Sequence, residues 1–313
     1  MLRVLSHVGR LDAGSLPPDV ADRVEVVTVP LDGPLPEGAH GEVLVTVPRP
    51  AATLPALLDR GVRWVHLIST GIDQFPLELL GPDVVLTNSR GLSATPISEW
   101  VLACMLAAAK RLPESWVHEP PERWSVPDRP LGSLDGATLA LLGLGGIGTA
   151  VARRALPFGM AVKALRRHPG PSPVPGVRTV GSVTQLVEGA DHVVLVAPLT
   201  DETRGIVDRR AFAAMAPGAH LVNVARGALV VEDDLRAALD DGTVAVASID
   251  TTDPEPLPAG HWMYHHPSVR LSPHISWSWS GAFDAMFETL GENLRRRLAG
   301  DQLLSVVDPA EGY

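Results

Sequence analysis

A glycine-rich turn between a strand and a helix constrains the fold of this chain more than any other stretch. The apolar run Thr138–Leu142, a predicted strand, leads directly into a G-x-G-x-x-G motif, and residues 149–156 then show a helical pattern. In this motif the first glycine permits a tight turn and the second lets the backbone approach a pyrophosphate. The third glycine packs the helix against the strand.

The context of the motif favours a dinucleotide site over a tight glycine turn in an ordinary α/β protein. A helix N-terminus offers free N–H groups and a positive dipole end to a phosphate. A further strand is predicted at Ala161–Leu165, which completes a β-α-β unit. The expected cofactor contacts in the turn are Gly143, Leu144, Gly145, Gly146, Ile147 and Gly148.

Short apolar runs alternate with helical patterns along the chain, which is typical of parallel sheets with both faces covered. The predicted strands are residues 24–29, 43–47, 64–68, 84–87, 138–142, 161–165, 192–197, 220–224 and 244–249. A helix at residues 96–112, with Thr95 as N-cap and Pro113 at its end, separates two groups of strands. A loop at 113–130 follows, and an amphipathic helix at 282–299 comes near the chain end.

Length, charge and cysteine content exclude several classes of protein. The 313 residues suffice for two domains, and a formal charge of −10 disfavours nucleic-acid binding. The single cysteine, Cys104, cannot form an internal disulfide and is expected to be packed. No apolar run approaches the roughly 20 residues that span a bilayer. Residues 1–10 also lack the apolar core of a signal peptide. We therefore expect a cytoplasmic protein with no nucleic-acid or membrane partner.

Two arginines after the strand Ala161–Leu165 bear on the choice of cofactor. Arg166 and Arg167 stand where a carboxylate normally accepts hydrogen bonds from the adenosine ribose. A guanidinium binds a 2′-phosphate, whereas an acid repels it. The sequence predicts a preference for NADP over NAD, with NAD still possible; two solvated arginines at a strand end are the alternative.

Three further stretches carry polar side chains at or after the ends of predicted strands. They contain Arg226 beside a glycine, Glu255 beyond Asp250, and His274 after a proline. Reduction of a 2-keto acid needs a cation for the carboxylate and a proton donor for the oxygen, and Arg226 and His274 fit these roles. Glu255 could hold the second nitrogen of the imidazole. Each residue also has an ordinary interpretation, as a surface ion pair, an exposed loop acid or a core histidine, and spacing alone does not establish that they meet.

From about residue 43 to 309 the chain resembles the D-isomer-specific 2-hydroxyacid dehydrogenases. The resemblance rests on several motifs in the family's order. They are Ser69-Thr70-Gly71-Ile72-Asp73, Ser98-Glu99-Trp100, the loop Gly143 to Gly148, Ala197-Pro198-Leu199-Thr200, Asn223 to Val230, Asp250 to Pro256 and Ser272 to Ile275.

The resemblance implies a role for each matching residue. Arg226 is expected to bind the substrate carboxylate and carbonyl, and His274 with Glu255 to form an acid/base pair. The backbone N–H groups of Thr70 and Gly71 are expected to bind the substrate carboxylate. The remaining expected cofactor contacts are Asp250, near the nicotinamide carboxamide, and the backbone of Ala197, Pro198, Val224 and Ala225.

The resemblance also implies an architecture and an assembly. A Rossmann dinucleotide-binding domain at residues 95–275 is expected to be inserted into a flavodoxin-like substrate domain formed by 1–94 and 276–313. Family members are commonly homodimers built on the cofactor domain. We therefore expect the apolar helix at 97–112 to pack against a second copy of the chain.

The segment after His274 departs from the small residues usual in the family. It contains Trp277 and Trp279, which either narrow the substrate pocket or pack between domains or subunits. A histidine cluster at His261, His265 and His266 invites a metal interpretation. No carboxylate or thiol at ligand-like spacing completes it, so we expect no metal.

The sequence as a whole predicts an NADP-preferring reductase of a small 2-keto acid of the glyoxylate, hydroxypyruvate or phenylpyruvate class. One alternative is a formate- or phosphite-oxidising enzyme of the same family. Formate enzymes carry an amide at the position of Glu255, which counts against this alternative. The other alternative is a non-enzymatic interaction protein that senses NAD(P)H.

Overall fold

The computed structural model describes residues 1–120, 123–124, 130–168 and 170–308. The chain divides into two compact units, Met1–Ser93 with Trp279–Tyr313, and Ala94–Ser278. The boundaries expected from the sequence, 94/95 and 275/276, lie one and three residues from these divisions. The expected loop at 113–130 falls partly, and the chain end at 309–313 wholly, outside the described residues.

Strands and helices alternate along both units. The strands are β1 (Leu2–Ser6), β2 (Val24–Thr28), β3 (Val43–Thr46), β4 (Trp64–Leu67), β5 (Val85–Asn88), β6 (Thr138–Leu142), β7 (Ala161–Leu165), β8 (Val177–Val180), β9 (His192–Leu195), β10 (Ala219–Asn223), β11 (Val244–Ile249) and β12 (Val269–Leu271). The α-helices are α1 (Pro18–Ala21), α2 (Leu54–Asp59), α3 (Ala94–Lys110), α4 (Gly146–Ala155), α5 (Val183–Val187), α6 (Arg209–Ala213), α7 (Glu232–Asp240) and α8 (Ala282–Ala299).

The first unit contains a parallel sheet with the strand order β2-β1-β3-β4-β5. This is the flavodoxin-like order. Every residue of β3 and β4 is buried, as expected for a parallel sheet covered on both faces. The predicted flavodoxin-like fold of this unit is confirmed.

The second unit contains a parallel sheet with the order β12-β11-β10-β9-β6-β7-β8. Counted within the unit, this is the doubly wound Rossmann order with one more strand beside β11. The strand order reverses between the parallel neighbours β6 and β9, and ligands of such sheets bind beyond the carboxyl ends of the strands at this point. The predicted Rossmann domain is confirmed.

Side chains of the second sheet alternate between two apolar layers. On β6, Leu139 and Leu141 pack on the side of α3 and α4, while Ala140 and Leu142 pack on the opposite side. Successive side chains of a strand point to opposite faces, so a continuous apolar run such as β6 supplies both layers. None of the helices in the described part of the chain has the length and apolar character needed to cross a bilayer.

The nine strands predicted from the sequence are present, with ends that differ by two residues or fewer. Three strands were missed, namely β1, β8 and β12. The helix Ala282–Ala299 has the predicted bounds and ends at Gly300 in a left-handed conformation.

Two predicted helix starts are wrong. Thr95 is not an N-cap, because α3 begins at Ala94 and Thr95 lies inside its first turn. Pro96 fits the first turn because N–H groups there have no intrahelical acceptor, so a proline does not fix the first helical residue. The helix predicted at 149–156 begins instead at Gly146, inside the glycine motif.

Candidate active site

The early start of α4 makes the glycine motif itself the N-terminus of the helix. Gly145 is the N-cap, and Gly146, Ile147 and Gly148 are the first helical residues. The first bond of the helix runs from the Thr149 N–H to the Gly145 carbonyl. By helix geometry the preceding N–H groups have no intrahelical partner, so they can bind a phosphate together with the helix dipole.

The surroundings of the motif glycines fit a dinucleotide. A Cβ atom at Gly148 would overlap the Gly143 carbonyl oxygen, so only glycine allows this close approach of helix and strand. A Cβ atom at Gly145 would meet no atom within 4 Å. The space beside Gly145 is therefore open to a ligand.

Two further loops, those that follow β7 and β9, lie beside the glycine motif. The Gly143 N–H donates to the Leu165 carbonyl at 3.0 Å, which brings the residues after β7 next to the glycine loop. The Val196 N–H likewise donates to the Leu142 carbonyl at 2.9 Å, and Ala197 and Pro198 follow it. Both loops thus leave the sheet beside the glycine motif, at the point where the strand order reverses.

Arg166 and Arg167 follow β7 directly, and both guanidinium groups already have contacts. Arg166 Nη1 donates to the Pro171 carbonyl at 2.8 Å. Arg167 Nε lies 3.2 Å from Glu202 Oε2. The cationic side chains of Arg166 and Arg167 therefore lie directly after the carboxyl end of β7.

Three adjacent strands bring the expected catalytic residues to one edge of the sheet. Asn223 pairs with Ile249, and Ile249 pairs with Leu271, all in parallel register. The segments that follow β10, β11 and β12 therefore emerge side by side at the carboxyl edge. They carry Arg226, Asp250 with Glu255, and His274, respectively.

Arg226 sits on a tightly held loop. The Asn223 side chain accepts from the Ala225 N–H at 3.1 Å and donates to the Arg226 carbonyl at 2.8 Å. A Cβ atom at Gly227 would overlap the backbone of Thr252, so this loop packs directly on the segment that leads to Glu255. Asn223 is fully buried and fixes the position of Arg226.

His274 and Glu255 meet. His274 Nδ1 lies 2.9 Å from Glu255 Oε1, and 37% of the histidine side chain and 29% of the glutamate side chain are exposed. A carboxylate at Nδ1 fixes the imidazole and leaves Nε2 available to an outside molecule. The pair thus has the geometry of an orienting carboxylate and a proton donor or acceptor.

Asp250 supports the loop of His274. Its carboxylate is 2% exposed and accepts from the Ser272 hydroxyl at 2.5 Å and from the N–H groups of Ile275 and Ser276 at 3.0 Å each. The Asp250 carbonyl accepts from the His274 N–H at 2.9 Å. The side chain expected near the nicotinamide carboxamide therefore organises residues 272–276, and its contact with a nicotinamide stays a prediction.

Thr70 and Gly71 lie in the first unit, after β4. The Thr70 carbonyl accepts from Asn88 Nδ2 at 2.7 Å, and the Thr70 hydroxyl donates to the Ser89 carbonyl at 3.2 Å. The Ser69 hydroxyl donates to the Gly71 carbonyl at 3.0 Å. This loop is held through its carbonyl oxygens and a hydroxyl, and binding of a carboxylate by its N–H groups stays a prediction.

Two histidines of the sequence cluster lie beside carboxylates, and Cys104 is a partly buried thiol. His261 Nε2 lies 3.0 Å from Glu232 Oε1, and His266 Nε2 lies 3.3 Å from Asp240 Oδ1. Within the described ranges, no group of three or more His, Cys, Asp or Glu residues could hold a metal ion. Burial raises the pKa of the Cys104 thiol to about 11, so the thiol is neutral at physiological pH.

Two side chains that hold the site loops had no role assigned from the sequence, those of Asn88 and of Asn223, which was named only within a family motif. Both stand at the last position of a strand, Asn223 on the fully buried β10 and Asn88 on β5, whose last three residues are buried. An amide at the end of an otherwise apolar run is the signal that could have found them, because a buried amide needs backbone partners nearby.

Known proteins were compared with the chain as a whole. The family model described as "D-isomer specific 2-hydroxyacid dehydrogenase, NAD binding domain" matches residues 102–276, more than half of the chain. A glyoxylate/hydroxypyruvate reductase A of Serratia proteamaculans is 34% identical over 82% of this chain and 84% of its own length. A glyoxylate reductase of Korarchaeum cryptofilum is 33% identical over 74% and 72%, respectively.

A solved structure of a D-isomer specific 2-hydroxyacid dehydrogenase is similar to this chain over nearly its whole length. The D-isomer specific 2-hydroxyacid dehydrogenase of Xanthobacter autotrophicus Py2, in complex with NADPH and MES, has a TM-score of 0.82 and 26% identity. The match covers 99% of each chain.

A Rossmann domain with a phosphate cradle, an arginine and a histidine–carboxylate pair at its sheet edge defines a dinucleotide-dependent oxidoreductase. The chain belongs to the D-isomer-specific 2-hydroxyacid dehydrogenase family. It is therefore an NAD(P)-dependent enzyme of small hydroxy or keto acids, which confirms the expected oxidoreductase over a non-enzymatic sensing protein.

Proposed function

We propose that this enzyme reduces a small 2-keto acid of the glyoxylate, hydroxypyruvate or phenylpyruvate class to the D-2-hydroxy acid. The observation that carries the proposal is the 2.9 Å contact between His274 Nδ1 and Glu255 Oε1. The names of the Serratia and Korarchaeum relatives support glyoxylate and hydroxypyruvate as first candidates.

The glycine motif and the N-terminus of α4 would hold the dinucleotide through backbone N–H groups. The bound nicotinamide supplies the hydride for the carbonyl carbon. The backbone of Ala197, Pro198, Val224 and Ala225 is our proposed lining of the same site, on the two loops that leave β9 and β10.

Arg226 binds the substrate in this proposal. A guanidinium is always charged and presents a planar fork of donors, which suits a carboxylate and the adjacent carbonyl oxygen. As negative charge develops on that oxygen, the same cation stabilises it. The N–H groups of Thr70 and Gly71 remain our proposed second contact for the carboxylate.

His274 supplies the proton. When hydride reaches the carbonyl carbon, the π electrons of the C=O bond move to oxygen, and His274 Nε2–H donates its proton there to give the hydroxyl group. Glu255 accepts the Nδ1–H bond and stabilises the imidazolium before transfer. The neutral imidazole left behind regains a proton from water.

The enzyme prefers NADPH in our proposal. Arg166 and Arg167 are the cations beside the glycine loop that a 2′-phosphate would meet. The Xanthobacter relative was solved with NADPH, which is consistent with this preference. NAD remains a possible second cofactor.

We also propose a cytoplasmic homodimer that forms through the second unit. On α3 the Ala103 side chain is exposed, Leu106 is partly buried against the core of the second unit, and Trp116 and Val117 beyond the helix are exposed. Analytical ultracentrifugation should give about twice the chain mass of 33.2 kDa. A monomer at micromolar concentration would exclude the dimer, and cell fractionation tests the location.

The function is tested with purified enzyme, NADPH and a panel of 2-keto acids, followed by loss of NADPH absorbance and by chiral analysis of the product. We expect turnover of at least one keto acid with the D-2-hydroxy acid as product. Formate and phosphite, assayed with the oxidised cofactor, are the comparison. Turnover confined to formate or phosphite, or an L-product, would contradict the proposal.

A further inference from the structure

We propose, on the basis of the role proposed above for His274, that Trp277 is a positioning residue for the proton donor. Its indole N–H donates to the His274 carbonyl at 2.9 Å. The sequence left open whether Trp277 lines the substrate pocket or packs elsewhere. The geometry points to a third role, in which the indole holds the peptide that carries the imidazole.

The backbone of His274 needs such support. Its φ is 54°, in the left-handed region that residues with a side chain seldom adopt. Residues persist there when their surroundings over-determine the conformation, and such residues cluster at active sites. In the described part of the chain only Arg111 and Ser305 are other non-glycine residues with positive φ.

Four contacts hold His274 in this conformation, one of which is the Ile275 N–H, which donates to Asp250 Oδ1 at 3.0 Å. Its N–H donates to the Asp250 carbonyl at 2.9 Å, and its carbonyl accepts from Trp277 Nε1 at 2.9 Å. Its Nδ1 meets Glu255 at 2.9 Å. The Asp250 and Trp277 contacts thus fix the peptide on either side of the Cα atom, and the Glu255 contact fixes the ring.

Trp277 is itself held by the core. Its ring packs against the apolar layer on the α3 and α4 side of the second sheet, the layer that also contains Leu144 of the glycine loop and Val224 of the Arg226 loop. An aromatic ring in such a layer has little freedom, so its N–H is aimed in a fixed direction. Trp277 therefore connects the backbone of His274 to the apolar layer that contains Leu144 of the glycine loop.

Loss of the indole N–H would remove the contact of the His274 carbonyl, and the peptide after His274 would then be held through the Ile275 N–H bond to Asp250. The backbone could then relax toward the ordinary regions of φ and ψ, which displaces the imidazole from Glu255 and from the substrate oxygen. Small displacements of a catalytic group cost large factors in rate. Because neither the cofactor loop nor Arg226 depends on this hydrogen bond, binding should be spared.

The test is Trp277→Phe, which keeps an aromatic ring and removes the donor, beside Trp279→Phe as matched control. We expect kcat to fall roughly tenfold to hundredfold for every keto acid that the enzyme turns over. The ranking of keto acids, the KM of the substrate and the Kd of NADPH should stay within about twofold, which is the smallest change these assays resolve. The solvent deuterium isotope effect on kcat should rise, because proton delivery becomes slower.

A second measurement does not need turnover. Nitrogen-15 spectra of the histidine rings, assigned with His274→Gln, report the His274 imidazole in the protein without substrate. The His274 signals should shift in Trp277→Phe and stay unchanged in Trp279→Phe. If the phenylalanine variant does not fold, Trp277→Tyr lacks a donor at the same place and replaces it in both experiments.

The outcomes separate the two proposals. Wild-type kcat and unchanged His274 signals in Trp277→Phe would overturn the positioning role while the reductase function stands. A reordered ranking of keto acids would show instead that Trp277 lines the pocket. If the wild-type enzyme reduces no keto acid, the proposed function fails, and the spectra still decide whether Trp277 positions the imidazole.

Discussion

Arg166 is the residue on which the proposed choice of cofactor rests most. Arg167 is paired with Glu202 at 3.2 Å, whereas Arg166 uses one nitrogen for a neutral carbonyl, that of Pro171. A 2′-phosphate must compete with a carboxylate for Arg167 and only with a carbonyl for Arg166. Arg166 should therefore carry the larger share of the preference.

Arg166→Ser should lower the ratio of kcat/KM for NADPH to that for NADH by roughly tenfold to hundredfold, the worth of one charge-assisted hydrogen bond. The reason is loss of the cation that a 2′-phosphate would meet, while contacts to the rest of the dinucleotide stay. Steady-state kinetics with both cofactors measures the ratio, and Arg167→Ser is the control with the smaller expected effect. Equal Michaelis constants for NADPH and NADH in the wild-type enzyme would contradict the proposed preference for NADPH.

The sequence indicated which residues to expect at the sheet edge, but it did not show the contacts that hold them there. The pairing of Glu255 with His274 was expected from the family resemblance, since the two lie 19 positions apart and the path between them was not known from the sequence. The parallel pairing of β11 with β12 brings them together, and β12 was not predicted. The Trp277 hydrogen bond could not be predicted, because it depends on the left-handed backbone of His274.

Among the elements, the junction of β6 and α4 is the proposed place of cofactor binding. Gly145 and Gly148 occupy the same helix start and differ in their surroundings, since a Cβ atom meets nothing at Gly145 and overlaps the Gly143 carbonyl at Gly148. A side chain at Gly145 would therefore take up only open space beside the loop, whereas a side chain at Gly148 would disturb the packing of the helix on the strand.

Gly145→Ala should bind NADPH at least about tenfold more weakly, a loss of roughly 1.4 kcal/mol, because the methyl group occupies the space of the phosphates. Its unfolding midpoint should stay close to that of the wild type. Gly148→Ala should lose stability as well as cofactor affinity. Fluorescence titration and thermal unfolding measure both quantities, and wild-type affinity in Gly145→Ala would show that no phosphate lies there.

Position in the second sheet explains two of the three missed strands, whereas β1, which was also missed, lies between β2 and β3. Central strands such as β6, β9 and β10 are continuous apolar runs and were found. The missed strands β8 and β12 are short, carry a charged residue and lie at the edges of the second sheet. Burial on both faces leaves a strong sequence signal, whereas an edge strand is defined mainly by its neighbour.

For the whole molecule, three buried histidines link stability to pH. Burial lowers the pKa of His66 and of His192 to about 4. Burial, with smaller effects of His192 and Arg270, lowers the pKa of His220 to about 3. His192 and His220 face each other across β9 and β10, with their Nδ1 atoms 3.2 Å apart, and His220 Nε2 lies 2.9 Å from the Ser248 hydroxyl.

Because these histidines stay neutral in the folded protein, the unfolded chain binds more protons below its ordinary histidine pKa of about 6.5. Stability should thus be greatest above that pH and fall as pH decreases toward 4. The full effect is on the order of 3 kcal/mol per histidine. Thermal unfolding between about pH 7.5 and 5, above the titration of most carboxylates, should show a midpoint that falls with pH.

His192→Asn should make this fall less steep, because one fewer histidine charges on unfolding. His40→Gln is the control, since His40 is exposed and the substitution removes no buried histidine. An unfolding midpoint that is constant between pH 7.5 and 5 would contradict the assignment of neutral, buried histidines.

The architecture of the molecule was predicted from its largest-scale pattern. Two groups of strands on either side of one long helix implied two α/β units, and the orders of the two sheets confirm the Rossmann and flavodoxin-like folds. The residues at the unit boundaries could not be predicted as closely. The second boundary, between Ser278 and Trp279, falls in a loop without a periodic pattern.

In the proposed mechanism His274 gives its proton to the substrate oxygen, and His274→Ala tests this step most directly. With the best keto acid of the panel, kcat for NADPH oxidation should fall by about 10² to 10⁴, the usual contribution of a general acid. The Kd of NADPH should not change, because the proposed cofactor contacts lie in the glycine motif and at the start of α4. A kcat within about threefold of the wild type, far below that contribution, would contradict the account.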